Sequence, residues 1–304
     1  MTKLNDQTMR KSKAKRKSHS KNLKMAPPQY GALGSQASDV LCKGYHFGLL
    51  KLDVKTKTAT GVEFSTGGSS NITSGKVSGN LVTRYQVKNL GMTLTNKWTT
   101  DNNLSTTVDV VNKLIPGCKL SLDTKFAPGT GAKSGAMSAV YKHHKAMVTA
   151  DIDLGLTGLN ASAVMGHKGW LAGYQTSFDL AKSSVTKNNF GLVYATRDCV
   201  LHTSLTNGTE IGGSVYQKLS PNLETGVTFG WSTTGSATKF GIGAKYVLAS
   251  GAVVRAKVDK SSKVGLGYQQ KLRDGVTVTL STLINGAKIY AGSYKVGVAL
   301  EMYA

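Results

Sequence analysis

From about Tyr45 onward, apolar side chains recur at every second position, and this alternation limits the chain more than any other feature of it. A period of two is the signature of a strand with one apolar and one polar face. Leu223, Thr225, Val227, Phe229 and Trp231 share one face, opposite Glu224, Gly226, Thr228, Gly230 and Ser232. Phe240, Ile242, Ala244 and Tyr246 alternate with Gly241, Gly243 and Lys245, and Val276, Val278 and Leu280 with Thr277, Thr279 and Ser281. Leu50, Leu52 and Val54 oppose Lys51, Asp53 and Lys55; Leu120 and Leu122 oppose Lys119, Ser121 and Asp123; Val148, Ala150, Ile152 and Leu154 oppose Thr149, Asp151 and Asp153. Turn clusters fall between such runs: Thr66-Gly67-Gly68-Ser69, Thr100-Asp101-Asn102-Asn103, Ser220-Pro221-Asn222, Arg273-Asp274-Gly275 and Asn285-Gly286. The pattern predicts a long antiparallel meander with tight hairpins.

The polar face decides among the closed forms such a meander can take. A propeller would show a blade repeat of about 40 to 50 residues, and none is visible. Strand plus turn takes about 13 to 14 residues here, and strands of roughly 9 to 11 residues cross a bilayer at a tilt. Some 260 residues then give about 19 strands, closed because each unpaired backbone group in hydrocarbon costs several kcal/mol. The fold class expected is all-β, a transmembrane β-barrel of about 19 strands around a wet lumen. The aromatics Tyr45, Tyr85, Trp98, Trp170, Tyr174, Trp231, Tyr246 and Tyr268 are expected to form interfacial girdles. The apolar runs span only a few residues, far short of the ~20 that a membrane-crossing helix needs.

Two segments precede the meander. Residues 1–24 hold nine basic residues and one acid, Asp6, within a chain of net charge +22. The run Lys11 to Lys17 has no interleaved aromatics and is expected to be a solvated, disordered tail, with no nucleic acid as partner. It lacks the apolar core of a secretory signal, so Sec-type export is not expected. Over residues 25–44, Pro27-Pro28 introduces Tyr30, Leu33, Ala37, Val40 and Leu41 at spacings of three and four, which predicts an amphipathic helix over Gln29 to Cys42. Three turns are marginal alone in water, so this helix needs a surface. Lys43 to Gly48 forms a flexible joint, and the barrel is expected over 45–304.

Catalytic constellations are not evident. His143-His144 are read as adjacent on a strand, pointing to opposite faces, unable to share a metal. Gly129-Thr130-Gly131-Ala132-Lys133-Ser134 lacks the glycine before lysine and the following helix of a phosphate loop. Asn71-Ile72-Thr73 and Asn207-Gly208-Thr209 match a glycosylation sequon without a secretory route. Cys42, Cys118 and Cys199 are odd in number and widely spaced, which gives neither a disulfide framework nor a metal site. No enzyme activity, cofactor or metal is expected. The inward phase instead collects charge: Lys51, Lys55, Arg84, Lys88, Lys97, Lys119, Lys125, Lys245, Arg255, Lys257 and Lys295 against Asp53, Asp109, Asp123, Asp151, Asp153, Glu224 and Glu301. A basic lining concentrates anions and repels cations. The expected activity is passive, weakly anion-selective diffusion of small metabolites, with voltage moving lumen charge toward a narrower state.

Several long motifs resemble the voltage-dependent anion channels, the mitochondrial porins: Met25-Ala26-Pro27-Pro28, Lys43-Gly44-Tyr45 with Phe47-Gly48, Gly169-Trp170-Leu171-Ala172-Gly173-Tyr174-Gln175, Leu201-His202-Thr203, Gly212 to Lys218 and Gly265-Leu266-Gly267-Tyr268. The resemblance covers Met25 to Ala304 and implies 19 strands in the mitochondrial outer membrane, an N-terminal helix inside the lumen, and a parallel pair joining first strand to last. It further implies nucleotide-attracting cations at Lys43 and Lys119, with Lys51, Lys97 and Arg255 of the lining beside them. Nicotinamide-dinucleotide contact segments would fall on Lys263, Val264 and Gly265 and on Ser281, Thr282, Leu283, Ile284 and Asn285. Lys295, Gly297, Leu300 and Met302 resemble the β-signal read by the mitochondrial barrel-insertion machinery. Partners implied are the bilayer, anionic metabolites such as adenine nucleotides, phosphate and organic anions, and that machinery; a homo-oligomer is left open.

The sequence also departs from the family. Two bases usual on the family helix are Ser35 and Ser38 here, Gly117-Cys118-Lys119 replaces a Gly-Leu-Lys motif, Lys263 replaces an apolar residue, and Asn96 stands where many members carry a membrane-facing Glu. Asn96 follows Met92 and Leu94 and precedes Trp98 on the outward face, where an amide costs less than a carboxylate. The kinase docking, lipid binding and gating effects associated with that Glu are thereby put in doubt. The pattern fits a divergent paralogue with a basic N-terminal extension and altered selectivity. A protein-import barrel of the same superfamily, against which the positive lining argues, and a soluble binding protein of sandwich type are the competing readings.

Overall fold

The alternation is realised as nineteen consecutive strands whose hydrogen bonds run unbroken around a ring. The computed structural model describes residues 26–304 except 114, 234, 236–237 and 288–293, so the basic extension and Met25 lie outside the described residues. The strands are β1 (Leu49–Lys57), β2 (Val62–Asn71), β3 (Val77–Val87), β4 (Met92–Thr99), β5 (Asn103–Val111) and β6 (Cys118–Ala127). They continue with β7 (Ala132–Lys142), β8 (Ala146–Asp153), β9 (Gly158–His167), β10 (Trp170–Asp179), β11 (Ser184–Ala195), β12 (Cys199–Thr206) and β13 (Glu210–Lys218). The last six are β14 (Leu223–Ser232), β15 (Lys239–Val247), β16 (Val253–Asp259), β17 (Lys263–Arg273), β18 (Val276–Asn285) and β19 (Tyr294–Tyr303).

Each strand pairs antiparallel with its sequence neighbours, so successive strands alternate in direction. With an odd number, first and last point the same way, and the ring closes only through a parallel pair. That pair is β1 with β19, in register from Leu50 opposite Val298 to Lys55 opposite Tyr303. Lys55 also places its ammonium 5.1 Å from the Tyr303 ring centroid. Tight turns fit the chain chemistry. Between β9 and β10, Lys168 (φ 46°) and Gly169 (φ 91°) both take the left-handed conformation that a two-residue hairpin matched to strand twist requires.

Side-chain phase follows the expectation. Ile242 lies opposite Val227 and Val258, while Lys245 lies opposite Glu224 and Arg255. Leu52, Leu192, Ile242 and Leu280 are each more than two-fifths exposed, an apolar band all round the cylinder that only hydrocarbon can cover. No helix among the described residues is long and apolar enough to cross a membrane. What little conventional core exists is inside: Leu33, Val164, Val193 and Val200, with Tyr30, Leu171 and Tyr216 against them.

Five expectations are corrected. Thr66-Gly67-Gly68-Ser69 is not a turn but the middle of β2, paired on both sides, because flanking ladders override the local turn preference of small residues. The single helix over Gln29 to Cys42 is instead a 3-10 turn (Tyr30–Ala32) and an α-helix, α1 (Ser35–Cys42), broken where Gly34 takes φ 70°. Lys88 belongs to a 3-10 turn (Lys88–Leu90) at the barrel's rim, not to the strand lining. His143-His144 form the β7–β8 turn, where their rings stack at 4.3 Å with Nε2 of one 3.3 Å from Nδ1 of the other, so alternation does not separate them. Tyr45 lies inside, in the joint, and Tyr174 and Tyr268 sit mid-strand, away from a girdle.

The phase assignment predicts opposite outcomes for neighbouring lysines. Val227→Lys, aimed at lipid, is expected to destabilise the folded barrel in vesicles by about 2–4 kcal/mol. Thr228→Lys, aimed at the lumen, should change it by less than about 1 kcal/mol, read by urea titration of tryptophan fluorescence.

Candidate functional site: a charged lumen with a docked N-terminal segment

The N-terminal segment lies on the inner wall because that wall has glycine where bulk would obstruct it. Ala37, Val40 and Leu41 are the buried face of α1. A Cβ on Gly226 would fall 3.0 Å from the Ala37 carbonyl oxygen, and one on Gly243 2.8 Å from the Leu41 side chain. Glycine in a strand interior weakens it and marks the close approach of another backbone. Upstream, Tyr30 and Leu33 lie over Gly173 and Gly191 and on the apolar patch of β9 to β12, and a Cβ on Gly34 would meet the His202 ring at 2.5 Å. Lys257 Nζ donates to the Leu41 carbonyl oxygen at 2.7 Å, placing a cation at the negative end of the helix.

The joint continues along the same track. Phe47 covers Gly265 and Tyr45 covers Gly267, with the two rings 5.3 Å apart and Lys257 Nζ 4.4 Å and 5.2 Å from the Tyr45 and Phe47 centroids. The His46 amide donates to Ser281 Oγ at 2.9 Å, and Ser281 Oγ donates to the Gly297 carbonyl at 3.3 Å. A side chain at Gly297 would fall on the His46 carbonyl oxygen. Burial pushes the Tyr45 phenol up to about 12, with Arg255 opposing. Burial, then the charge of Lys51, pushes the His46 imidazole below its ordinary 6.5, against the carboxylates of Glu301 and Asp53.

Charge is distributed unevenly around the lumen. Asp109, Asp123, Asp151 and Asp153 all stand on β5, β6 and β8, accepting from Ser121, Thr107, Ser138 and Thr157 respectively. Lys245, Arg255 and Lys257 stand on β15 and β16, on the far side of the ring by strand order, whereas Lys295 and Lys51 stand on β19 and β1 between the two, and Arg84, Lys97, Lys119 and Lys125 stand on or beside the acidic strands, on β3, β4 and β6. Cross-strand pairs neutralise part of this: Lys51–Asp53 at 2.6 Å, Lys119–Asp109 at 3.0 Å and Lys245–Glu224 at 3.1 Å. A recess of about 620 Å³ lies along the acidic side, lined by Gln29, Asp109, Lys119, Asp123 and Lys142. With Lys88 removed, the inward set named from the sequence holds ten bases against seven acids, a surplus of three.

The residues singled out in the sequence do not form one cluster. Lys43 pairs with Asp39 at 2.8 Å on the helix, Lys119 is across the barrel on β6, and Arg255 lies against Gly44 and Tyr45. Lys97 is exposed on β4 and has no acidic partner among the described residues. Of the two dinucleotide segments, Lys263 and Asn285 face each other at the end of β17 and β18. Val264, Thr282 and Ile284 are on the lipid-facing phase, Leu283 is on the inner phase, and Gly265 and Ser281 are covered by the joint. Asn96 faces outward between Thr83 and Thr106. Lys295 and Gly297 face the lumen, Leu300 and Met302 the lipid. The sequence reading gave Ser281 only as a dinucleotide contact and Lys257 only as lining, and missed that they and His46 fasten the segment; the signal available was the row of glycines on the inward phase.

A sealed cylinder with an apolar exterior, a charged interior and a chain segment laid along its wall defines a β-barrel membrane channel of the porin class. The eukaryotic porin family matches residues 26–297, and the chain belongs to it. It is 55% identical over 282 residues to the Drosophila melanogaster voltage-dependent anion-selective channel, covering 92% of this chain and 100% of that one. It is 51% identical to the Xenopus laevis and 50% identical to the Homo sapiens non-selective voltage-gated ion channel VDAC2, each over 91% of this chain and 99% and 95% of those chains.

Two outcomes test the docking. Gly226→Val should lift α1 from the wall, so a spin label at Ser38 changes from a slow to a fast spectrum. The titration directions set a pH window. Neutral His46 is the form the docked joint favours, so docking weakens as pH falls below 6.5; neutral Tyr45 is likewise favoured, so docking weakens as pH rises past 10 toward 12. The protection factors of the joint's amides, corrected for the intrinsic rise of exchange with pH, should be greatest between those limits, and His46→Gln should remove the acid limb alone.

Proposed function

We propose that this protein is a voltage-gated channel of the mitochondrial outer membrane that passes small metabolites by passive diffusion with weak preference for anions. Adenine nucleotides, phosphate and small organic anions are the substrate class. The observation that carries the reading is the open lumen whose inward charges of both signs leave a small positive surplus. A uniformly basic ring would bind anions and hold them; a lining of mixed sign with a small positive surplus leaves anions a favoured track without trapping them. Lys97, Lys119, Lys51, Arg255 and Lys43 are proposed to line that track, and the Lys263/Asn285 edge to meet dinucleotides at one mouth. Displacement of the segment 26–48 would carry its Lys43–Asp39 pair and release Lys257 and Arg255 from it, which is how voltage would favour a narrower state. Lys295, Gly297, Leu300 and Met302 are proposed to serve the insertion machinery during assembly.

One observation favours a selectivity at the low end. α1 carries Ser35 and Ser38, and its one nearby base, Lys43, is neutralised by Asp39. The helix therefore adds no net charge to the pore, and the relatives' names span both anion-selective and non-selective channels.

In planar bilayers under a KCl gradient, the reversal potential should favour chloride. Each Lys→Glu exchange removes two charges, so Lys97→Glu with Lys125→Glu changes the surplus by four, and the chloride-to-potassium permeability ratio should fall to about one or below. A chain whose parent favours potassium, or whose ratio ignores these exchanges, is not the channel described.

A further inference from the structure

The two rims of the barrel differ in a way the pore does not use. Because the strands alternate, turns β3–β4, β5–β6, β7–β8, β9–β10 and β11–β12 all lie at the end that also holds the C-terminus, and the intervening turns lie at the other end. Those five consecutive turns carry one exposed cation each: Lys88, Lys113, Lys145, Lys168 and Arg197. Asp198 is the one acid in them, and none of the five cations has an acidic partner among the described residues. Over the same arc the opposite rim has β4–β5, β6–β7, β8–β9 and β10–β11, whose turns contain Asp101 and Lys182 and no other charge.

The aromatics divide in the same sense. Next to the cationic turns, the lipid-facing strand ends present Tyr85, Tyr141, Trp170 and Tyr194, each more than a third exposed, with Trp170 and Tyr194 stacked at 4.7 Å. At the opposite rim the corresponding outward positions are Trp98, Phe126 and Phe178. One rim offers hydroxyl and indole donors at the interface with five ammonium and guanidinium groups just beyond; the other offers Trp98, Phe126 and Phe178, with Lys133 5.8 Å from the Phe126 ring, over turns whose two charges, Asp101 and Lys182, cancel.

We propose that the arc of turns from β3 to β12 at the C-terminal rim is a docking collar for anionic phospholipid headgroups. The apolar band ends at the Tyr/Trp row, so a lipid whose chains lie on β3 to β12 places its phosphate at the height of these side chains. A basic residue near a membrane surface attracts anionic lipid by an amount that falls off within a Debye length. Five such residues spaced along one arc act on the same shell of lipid. The inference uses only the barrel's place in a bilayer, so it stands apart from the selectivity proposed above.

The test measures lipid association with the full chain reconstituted in phosphatidylcholine vesicles, using trace spin-labelled phosphatidylglycerol or spin-labelled phosphatidylcholine. At low salt the motionally restricted fraction should favour phosphatidylglycerol by about three- to tenfold, and at 1 M salt the two should agree within about twofold. Lys113→Gln, Lys145→Gln, Lys168→Gln and Arg197→Gln together should abolish most of the preference. The same lysines changed to Arg should keep it, which separates charge from any fault in folding. Lys76→Gln, Lys182→Gln and Lys260→Gln, at the other rim, should leave it intact. A parent without preference, an equal loss from the two rims, or a preference surviving the collar variant would each overturn the proposal. If the collar instead bound only an acidic polypeptide in solution, the lipid preference would be absent from the start.

Discussion

Every backbone amide in hydrocarbon must find a partner, and nothing else about this molecule can be decided before that is met. A sheet meets it only by closing, and a hairpin-connected sheet of nineteen strands closes only by setting its first and last strands parallel. The parallel seam has a second consequence. It brings the start of β1 beside the first half of β19, so the segment preceding β1 meets β18 and β19 directly. The His46 carbonyl lies on Gly297 of β19 and the His46 amide on Ser281 of β18. The joint that carries the helix into the lumen is thus fastened next to the seam that closes the barrel.

Docking a helix inside a pore sets two demands against each other. The wall must approach closely enough to bury α1, yet the lumen must stay wide. Inward glycines reconcile them by removing side-chain depth, at the cost of weaker strands on β10, β11, β14, β15 and β17. Apolar side chains from the segment then sit in those gaps, and Lys257 holds the last helical turn and two aromatic rings. Where the wall is not glycine, it is apolar: Val164, Val193 and Val200 face inward against the usual phase and receive Leu33.

How much of this could be read in the sequence depends on how local the cause is. Outward Leu, Ile, Val and Trp at every second position gave fold class, strand number and the direction of Asn96, because alternation is a property of consecutive residues. Turns such as Ser220-Pro221-Asn222 were legible for the same reason. Thr66 to Ser69 misled because small polar residues have turn chemistry locally, and only the ladders with β1 and β3 hold them extended. The histidine pair misled in the opposite direction, since nothing in Lys142-His143-His144-Lys145 says where a strand stops. The break at Gly34 and the Lys257 anchor were out of reach, as both are set by residues far away in the chain: His202 beside the one and Leu41 beneath the other.

The same reasoning bears on what the lumen's charge can do. A cation that holds a carbonyl and two rings, as Lys257 does, is spent on structure and contributes less to a passing anion than one like Lys97 that faces water. Lys51, Lys119 and Lys245 are likewise committed to Asp53, Asp109 and Glu224. The field that an anion meets is therefore set by few free cations and not by the +22 of the whole chain, nine of whose bases belong to residues 1–24. The proposed weak selectivity follows from that division of labour: Lys257 is committed to the docked segment and Lys51, Lys119 and Lys245 to carboxylates of the wall, which leaves few cations to a passing anion.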